Sequence, residues 1–114
     1  MKKDDLFELI KRGEDVPKDA DFSVKIEDAM TGNAIPDGST VYVKANADLS
    51  DGDVGIFFYK DEMLCRQFCE DSFGNIYLFT LDRQKAEYDI TVPKGEKVIC
   101  FGKVLLKKKI PLPI

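Results

Sequence analysis

One basic residue, Arg66, stands in the stretch of residues 63–70, which is otherwise rich in apolar side chains. If this stretch is a strand, its alternation places Arg66 on the same face as Leu64 and Phe68. A cation between two apolar neighbours is expensive to bury without a partner. Two explanations are equally open: an edge position from which the guanidinium reaches solvent, or a functional residue that points into a cleft.

The chain of 114 residues contains no histidine. This excludes a Ser-His-Asp triad, a Cys-His pair, histidine-ligated zinc or haem, and a histidine pH switch. Any acid–base chemistry would have to use carboxylates, lysine, tyrosine or cysteine.

The remaining reactive side chains favour structural roles. Cys65 and Cys69 share strand parity, but with Cys100 they make three cysteines, one ligand short of a zinc site, so packed apolar side chains are the better interpretation. The acidic residues at 48–53 surround a glycine turn but lack the ligand order of an EF-hand. The lysine run at 107–109 is typical of a solvated surface. We therefore expect neither a metal nor another cofactor.

The charge balance limits the partners. With 17 Lys plus Arg against 21 Asp plus Glu, the net charge is −4, which argues against direct binding of nucleic acid by this stretch. The sequence contains no apolar run of membrane-spanning length and no secretory signal at its start. An odd number of cysteines without such a signal favours reduced thiols and a cytoplasmic location, with no membrane partner.

The elements that must position these residues are mostly strands. A short helix is predicted over residues 4–12, followed by a polar linker, so that residues 1–21 form an N-terminal helix and linker remnant. From Phe22 the apolar period changes to two, and residues 22–114 form the main domain. Strands are predicted at residues 22–26, 40–45, 54–59, 63–70, 76–81, 88–92 and 98–106. A tight hairpin is expected at Lys60 and Asp61. The fold class is all-β, with about seven short strands and one short N-terminal helix.

Several stretches occur in a distinctive order. They are residues 22–26, Asp-Ala-Met at 28–30, Ile-Pro-Asp-Gly-Ser at 35–39 with the strand after it, Asp-Gly-Asp-Val-Gly at 51–55, residues 62–68, and Phe-Gly-Lys-Val at 101–104. Together they resemble the LexA-like Ser-Lys peptidase domain, found as the C-terminal domain of helix-turn-helix phage and prophage repressors. The resemblance extends from about residue 19 to 106 and implies a small LexA/signal-peptidase-like β-fold.

The resemblance also implies a reaction. In this family a serine is the nucleophile, and a lysine that loses its proton in an apolar site is the base. The reaction is self-cleavage in the linker that precedes the domain, and in many relatives RecA filaments provoke it. The filament is therefore a candidate partner, beside a second copy of the chain as a homodimer.

Both catalytic positions depart from the family pattern. Ala29 stands at the nucleophile position and has no nucleophilic atom, and Arg66 stands at the base position. A guanidinium stays protonated in proteins and is no base. Asp28 and Met30, which flank Ala29, are further candidates for the cleft. The dipeptides Ala-Gly and Cys-Gly, at which relatives cut, are absent ahead of Ala29.

We therefore expect the dimerisation and regulatory domain of a prophage-type repressor that does not cleave itself. Binding to DNA would come through a helix-turn-helix domain that residues 1–21 cannot supply, so the chain is expected to be a piece of a longer protein or a stand-alone C-terminal domain. Two alternatives stay open. One is a self-cleaving Ser-Lys peptidase whose nucleophile was replaced artificially by Ala29. The other is a β-domain that binds a peptide or protein in the former catalytic cleft.

Overall fold

The computed structural model describes residues 19–113, and the helix predicted at residues 4–12 lies outside them. The described chain forms seven strands in one antiparallel sheet of order β1-β2-β7-β3-β4-β5-β6. The strands are β1 (Phe22–Lys25), β2 (Thr40–Lys44), β3 (Val54–Tyr59), β4 (Glu62–Glu70), β5 (Ile76–Phe79), β6 (Ile90–Val92) and β7 (Ile99–Leu105). The predicted all-β class is confirmed.

The sheet is covered on both faces, which explains the nearly continuous apolar run of β3. Alternate side chains of the central strands enter two separate clusters. Ile56 and Cys65 pack with the apolar residues of β1 and β2 in the first cluster. Phe57 and Leu64 pack with Leu78 of β5 in the second cluster. Residues on both faces of β3 and β4 are therefore buried.

Two local features set the register of the centre of the sheet. Lys60 and Asp61 both have positive φ, at 47° and 65°, which gives the tight hairpin that the sequence predicted between β3 and β4. The register between β3 and β7 shifts at a β-bulge, because Ile56 pairs with Gly102 and the next residue, Phe57, pairs with Cys100.

Two segments differ from the sequence-based expectation. Residues 29–31, which lie between two predicted strands, form a 3-10 helix, Ala29–Thr31. A second 3-10 helix, Arg83–Tyr88, delays the start of β6 from the predicted Tyr88 to Ile90. Strand β5 stops at Phe79 because the next amide, that of Thr80, donates to the Asp89 carboxylate instead of continuing the sheet ladder. Among residues 19–113, no helix has the length and apolar character needed to cross a membrane.

Candidate functional site

The first 3-10 helix is fixed by its own polar side chains. Asp28 is its N-cap residue, and the Asp28 Oδ1 atom accepts a hydrogen bond of 2.9 Å from the Met30 amide. The hydroxyl of Thr31, which is fully buried, lies 2.6 Å from the carbonyl oxygen of Ile35. A helix of this length has little stability of its own, so these side-chain bonds define its position.

The chain after β5 holds the same helix from the other side. The amides of Leu81 and Asp82 both donate to the carbonyl oxygen of Met30, each at 3.0 Å. Lys85 Nζ donates to the carbonyl oxygen of Ala29 at 3.2 Å. Gly32 permits this close approach, because a Cβ at that position would lie 2.8 Å from the Cβ of Asp82.

Arg66 is 4% exposed, so the explanation in which its guanidinium reaches solvent from an edge position is wrong. Its Nη1 atom lies 2.8 Å from Oδ2 of Asp28, and the two side chains are 5% and 9% exposed. The same Nη1 donates to the carbonyl oxygen of Cys65 at 2.9 Å. A buried guanidinium therefore has a carboxylate partner, which offsets part of the cost of burying either charge.

The pair formed by Asp28 and Arg66 also binds the backbone of β4. Strand β5 pairs with β4 only along residues 67–70, so β5 does not reach Cys65. Asp28 Oδ2 accepts from the Cys65 amide at 3.3 Å, while Arg66 binds the Cys65 carbonyl. Two side chains thus bind the backbone groups of Cys65 at a point where no strand continues the sheet.

These residues surround a cleft of about 430 Å³. Asp28, Ala29, Met30 and Arg66, the four site residues named from the sequence, all line it. The sequence did not single out the other lining residues, which are Glu27, Asp61, Glu62, Met63 and Leu64. The signal that could have found Asp61 and Glu62 was their position at the predicted hairpin next to Arg66. Lys85, which reaches Ala29 from 56 residues away, had no local signal.

The cysteine next to Arg66 is a core residue. Cys65 is fully buried, and desolvation raises the pKa of its thiol to about 12. Since the thiolate is the reactive form, this thiol is inert in the folded chain. Among residues 19–113, no cluster of Cys, Asp and Glu side chains has the arrangement of a metal site.

The side chains of the cleft determine what chemistry it can perform. Ala29 carries a methyl group and Arg66 a guanidinium, so these two positions supply neither a nucleophile nor a base. The polar groups that remain are carboxylates, and they suit binding and positioning of a ligand.

Comparison with protein families identifies the family of this chain. No curated protein matches the chain. The Peptidase S24-like family model matches residues 4–105, which is most of the 114 residues and includes every strand of the sheet. The LexA-like resemblance seen in the sequence is therefore confirmed at the level of the domain, and the chain belongs to the Peptidase S24-like family.

Proposed function

We propose that this chain is the dimerising, regulatory domain of a prophage-type transcriptional repressor and that it does not cleave itself. The observation that carries the absence of self-cleavage is the buried ion pair of Arg66 with Asp28 beside Ala29. The regulatory role is supported by family membership together with the order of motifs that resembles repressor C-terminal domains. DNA would be bound through a helix-turn-helix domain joined to this one, and pairing of two copies would add avidity for two half-sites.

The geometry supports the loss of cleavage beyond the two substitutions. Asp28 Oδ2 lies 2.8 Å from the cation at position 66. A carboxylate at this distance forms a salt bridge with the guanidinium, which is not a base in proteins. The site is arranged to keep a positive charge at position 66.

Self-cleavage is tested by incubating the full chain at alkaline pH and measuring intact mass. We expect no fragments from the chain as it stands, nor from Ala29→Ser, because Arg66 would still be the only residue at the base position. Fragments from Ala29→Ser would instead favour the alternative, a self-cleaving Ser-Lys-type peptidase domain whose nucleophile was replaced by Ala29. Adding Arg66→Lys to Ala29→Ser tests whether the scaffold retains any cleavage at all.

Dimerisation is tested separately by light scattering or sedimentation at tens of micromolar. We expect a mass of twice the 12.9 kDa of one chain. A strictly monomeric chain at these concentrations would remove the dimerising part of the proposal and leave the cleavage experiment unaffected.

A further inference from the structure

We propose that residues 80–89 form a strap whose closing ion pair, Arg83 with Asp89, controls the position of the first 3-10 helix and thereby the geometry of the cleft. The strap connects β5 to β6 and includes the second 3-10 helix. The inference adds a conformational control to the domain, and it depends on neither dimerisation nor self-cleavage. Three features of the strap support it: its path, the bonds that close it, and its contacts with the first 3-10 helix.

The strap follows a longer path than its two strands require. Strands β5 and β6 are antiparallel neighbours, and Leu78 near the end of one pairs with Ile90 at the start of the other. Such a pair is usually joined by roughly two to five residues. Here residues 80–89 leave the sheet instead and reach the carbonyl oxygen of Met30. Ordering this longer backbone costs conformational entropy, so the contacts of the strap must offset that cost.

One carboxylate closes the base of the strap. Asp89 Oδ1 accepts from the Thr80 amide at 2.8 Å, which joins the two ends of the strap. Both oxygens of Asp89 also accept from Arg83, at 2.9 Å from Nη1 and at 3.0 Å from Nη2. A bidentate pair of this kind is stronger and more directional than a single ionic contact. The guanidinium of Arg83 also lies over the ring of Phe79, 5.6 Å from its centroid, so a second contact orients it.

Little apolar burial holds the strap in place. None of residues 83–88 is buried, and the second 3-10 helix is interrupted by non-helical backbone at Lys85. Leu81 supplies the apolar anchor of the strap and is 8% exposed. Segments held mainly by polar bonds near the surface open locally at a lower free energy than the core does. The strap is therefore able to open while the sheet stays folded.

The strap binds the backbone of the first 3-10 helix. The amides of Leu81 and Asp82 donate to the Met30 carbonyl, each at 3.0 Å. Lys85 Nζ donates to the Ala29 carbonyl at 3.2 Å. A helix of one turn cannot satisfy its last carbonyl groups internally, so these donors from the strap complete it.

Asp28, the N-cap residue of that helix, extends the connection to β4. Its Oδ2 atom lies 2.8 Å from Arg66 Nη1 and accepts from the Cys65 amide at 3.3 Å. When the strap opens, the helix loses its partners on one side, and both bonds of Asp28 Oδ2 weaken. A partner that bound the exposed strap in its open position would therefore change the cleft without entering it.

Amide hydrogen exchange, measured by NMR on the full chain at neutral pH, tests this coupling. Asp89→Asn keeps an acceptor for the first amide of the strap and removes the charge that pairs with Arg83. We expect the Cys65 amide and the amides of residues 81–82 to exchange at least about tenfold faster in this variant. The Phe68 amide, which bonds on the β3 side of β4, should keep the parent rate.

Two results would overturn the inference. If the amides of residues 81–82 exchange faster but the Cys65 amide does not, the strap opens without moving the first 3-10 helix. If none of these rates changes, the ion pair does not close the strap.

The matched control is Asp71→Asn, because Asp71 also organises a turn by accepting from backbone amides. This control should leave the exchange rate of the Cys65 amide unchanged. An equal increase in the control would show a general loss of stability, and the inference would be wrong.

Variants of Arg83 keep the test decisive even if Asp89→Asn fails to fold. Arg83→Gln should reproduce the faster exchange of the Cys65 amide. Arg83→Lys should give an intermediate rate, because it keeps the charge without the bidentate geometry. A parent-like rate in Arg83→Gln would contradict the inference.

Discussion

Arg66 Nη1 lies 2.8 Å from Oδ2 of Asp28, across 38 residues of sequence, and this contact joins the first 3-10 helix to β4. The resemblance to Ser-Lys peptidases assigns a reactive pair to the same two segments. In this chain the segments are held together by a buried salt bridge instead. The proposed function involves no proton transfer at this site, so it is compatible with a permanent charge at position 66.

Breaking this pair from one side is expected to destabilise the fold strongly. Arg66→Met fills similar volume but leaves the carboxylate of Asp28 buried without its partner. Loss of one member of a buried pair typically costs about 3–5 kcal/mol. Urea denaturation of the variant and the parent chain at neutral pH measures the difference in the free energy of unfolding.

The double variant Asp28→Asn with Arg66→Met is the control for this prediction. The side chains at positions 28 and 66 then carry no charge, and the amide oxygen of the asparagine can still cap the Met30 amide. We expect it to be more stable than Arg66→Met alone. If the decreases in the free energy of unfolding of Asp28→Asn and Arg66→Met simply add in the double variant, the two charges are not coupled and the pair does not hold the site together.

The apolar pattern, alternating in β1 and nearly continuous in β3, was sufficient to place the strands. Val54–Tyr59 coincides with its prediction, and β4 begins one residue earlier than predicted. The two 3-10 helices were not predictable from local pattern. Their positions depend on contacts between distant residues, such as the bond from Thr80 to Asp89 and those from residues 81 and 82 to Met30.

The candidate site could likewise be predicted from the sequence only in part, because some of its contacts join distant residues. The sequence pointed to Arg66 as an anomaly within an apolar strand, and the resemblance added Ala29 and its neighbours. Neither indicated that Asp28 would be the partner of Arg66, because the direction of both side chains is set by the packing of the 3-10 helix against β4. Lys85 was missed for the same reason, since its contact with Ala29 depends on where the second 3-10 helix lies.

The close contact between the two 3-10 helices should make Gly32 intolerant of a side chain. Gly32 has a φ of 57°, and an added Cβ would lie 2.8 Å from the Cβ of Asp82. Gly32→Ala therefore combines an unfavourable backbone conformation, which costs about 1–2 kcal/mol, with a steric clash. Gly38→Ala is the matched control, because Gly38 also has a positive φ but has open space around its Cβ position. Thermal or urea unfolding should show a larger loss for Gly32→Ala, and equal losses would mean that the two helices separate without cost.

Stability in acid should depend on Asp71. Hydrogen bonds from the side chain and amide of Asn75, with others from Tyr77 and Phe73, lower the pKa of Asp71 from 3.8 to about 2. The unfolded chain therefore takes up this proton at a higher pH than the folded chain does. The stabilising contribution is complete above about pH 4 and is lost as the pH falls towards about pH 2.

Asp71→Asn removes that titration and should give a shallower decrease of the urea midpoint between about pH 4 and about pH 2. Asp37→Asn, in an exposed turn before β2, changes one carboxylate in the same way and serves as the control. We expect the urea midpoint of this control to decrease with falling pH as steeply as that of the parent chain. If Asp71→Asn also retains the parent slope, the hydrogen bonds to Asp71 do not contribute to acid stability.

The three cysteines should differ sharply in reactivity. Cys100 is exposed, whereas Cys65 and Cys69 are buried. Burial raises the pKa of all three thiols, to about 12 for Cys65. A maleimide reagent followed by peptide mass spectrometry should label Cys100 at least about tenfold faster than Cys65 in the folded chain, with the rate rising as pH increases. In urea the three rates should converge, and Cys100→Ser should remove the fast phase. Rapid labelling of Cys65 in the folded chain would instead show that β4 separates readily from the 3-10 helix that carries Asp28.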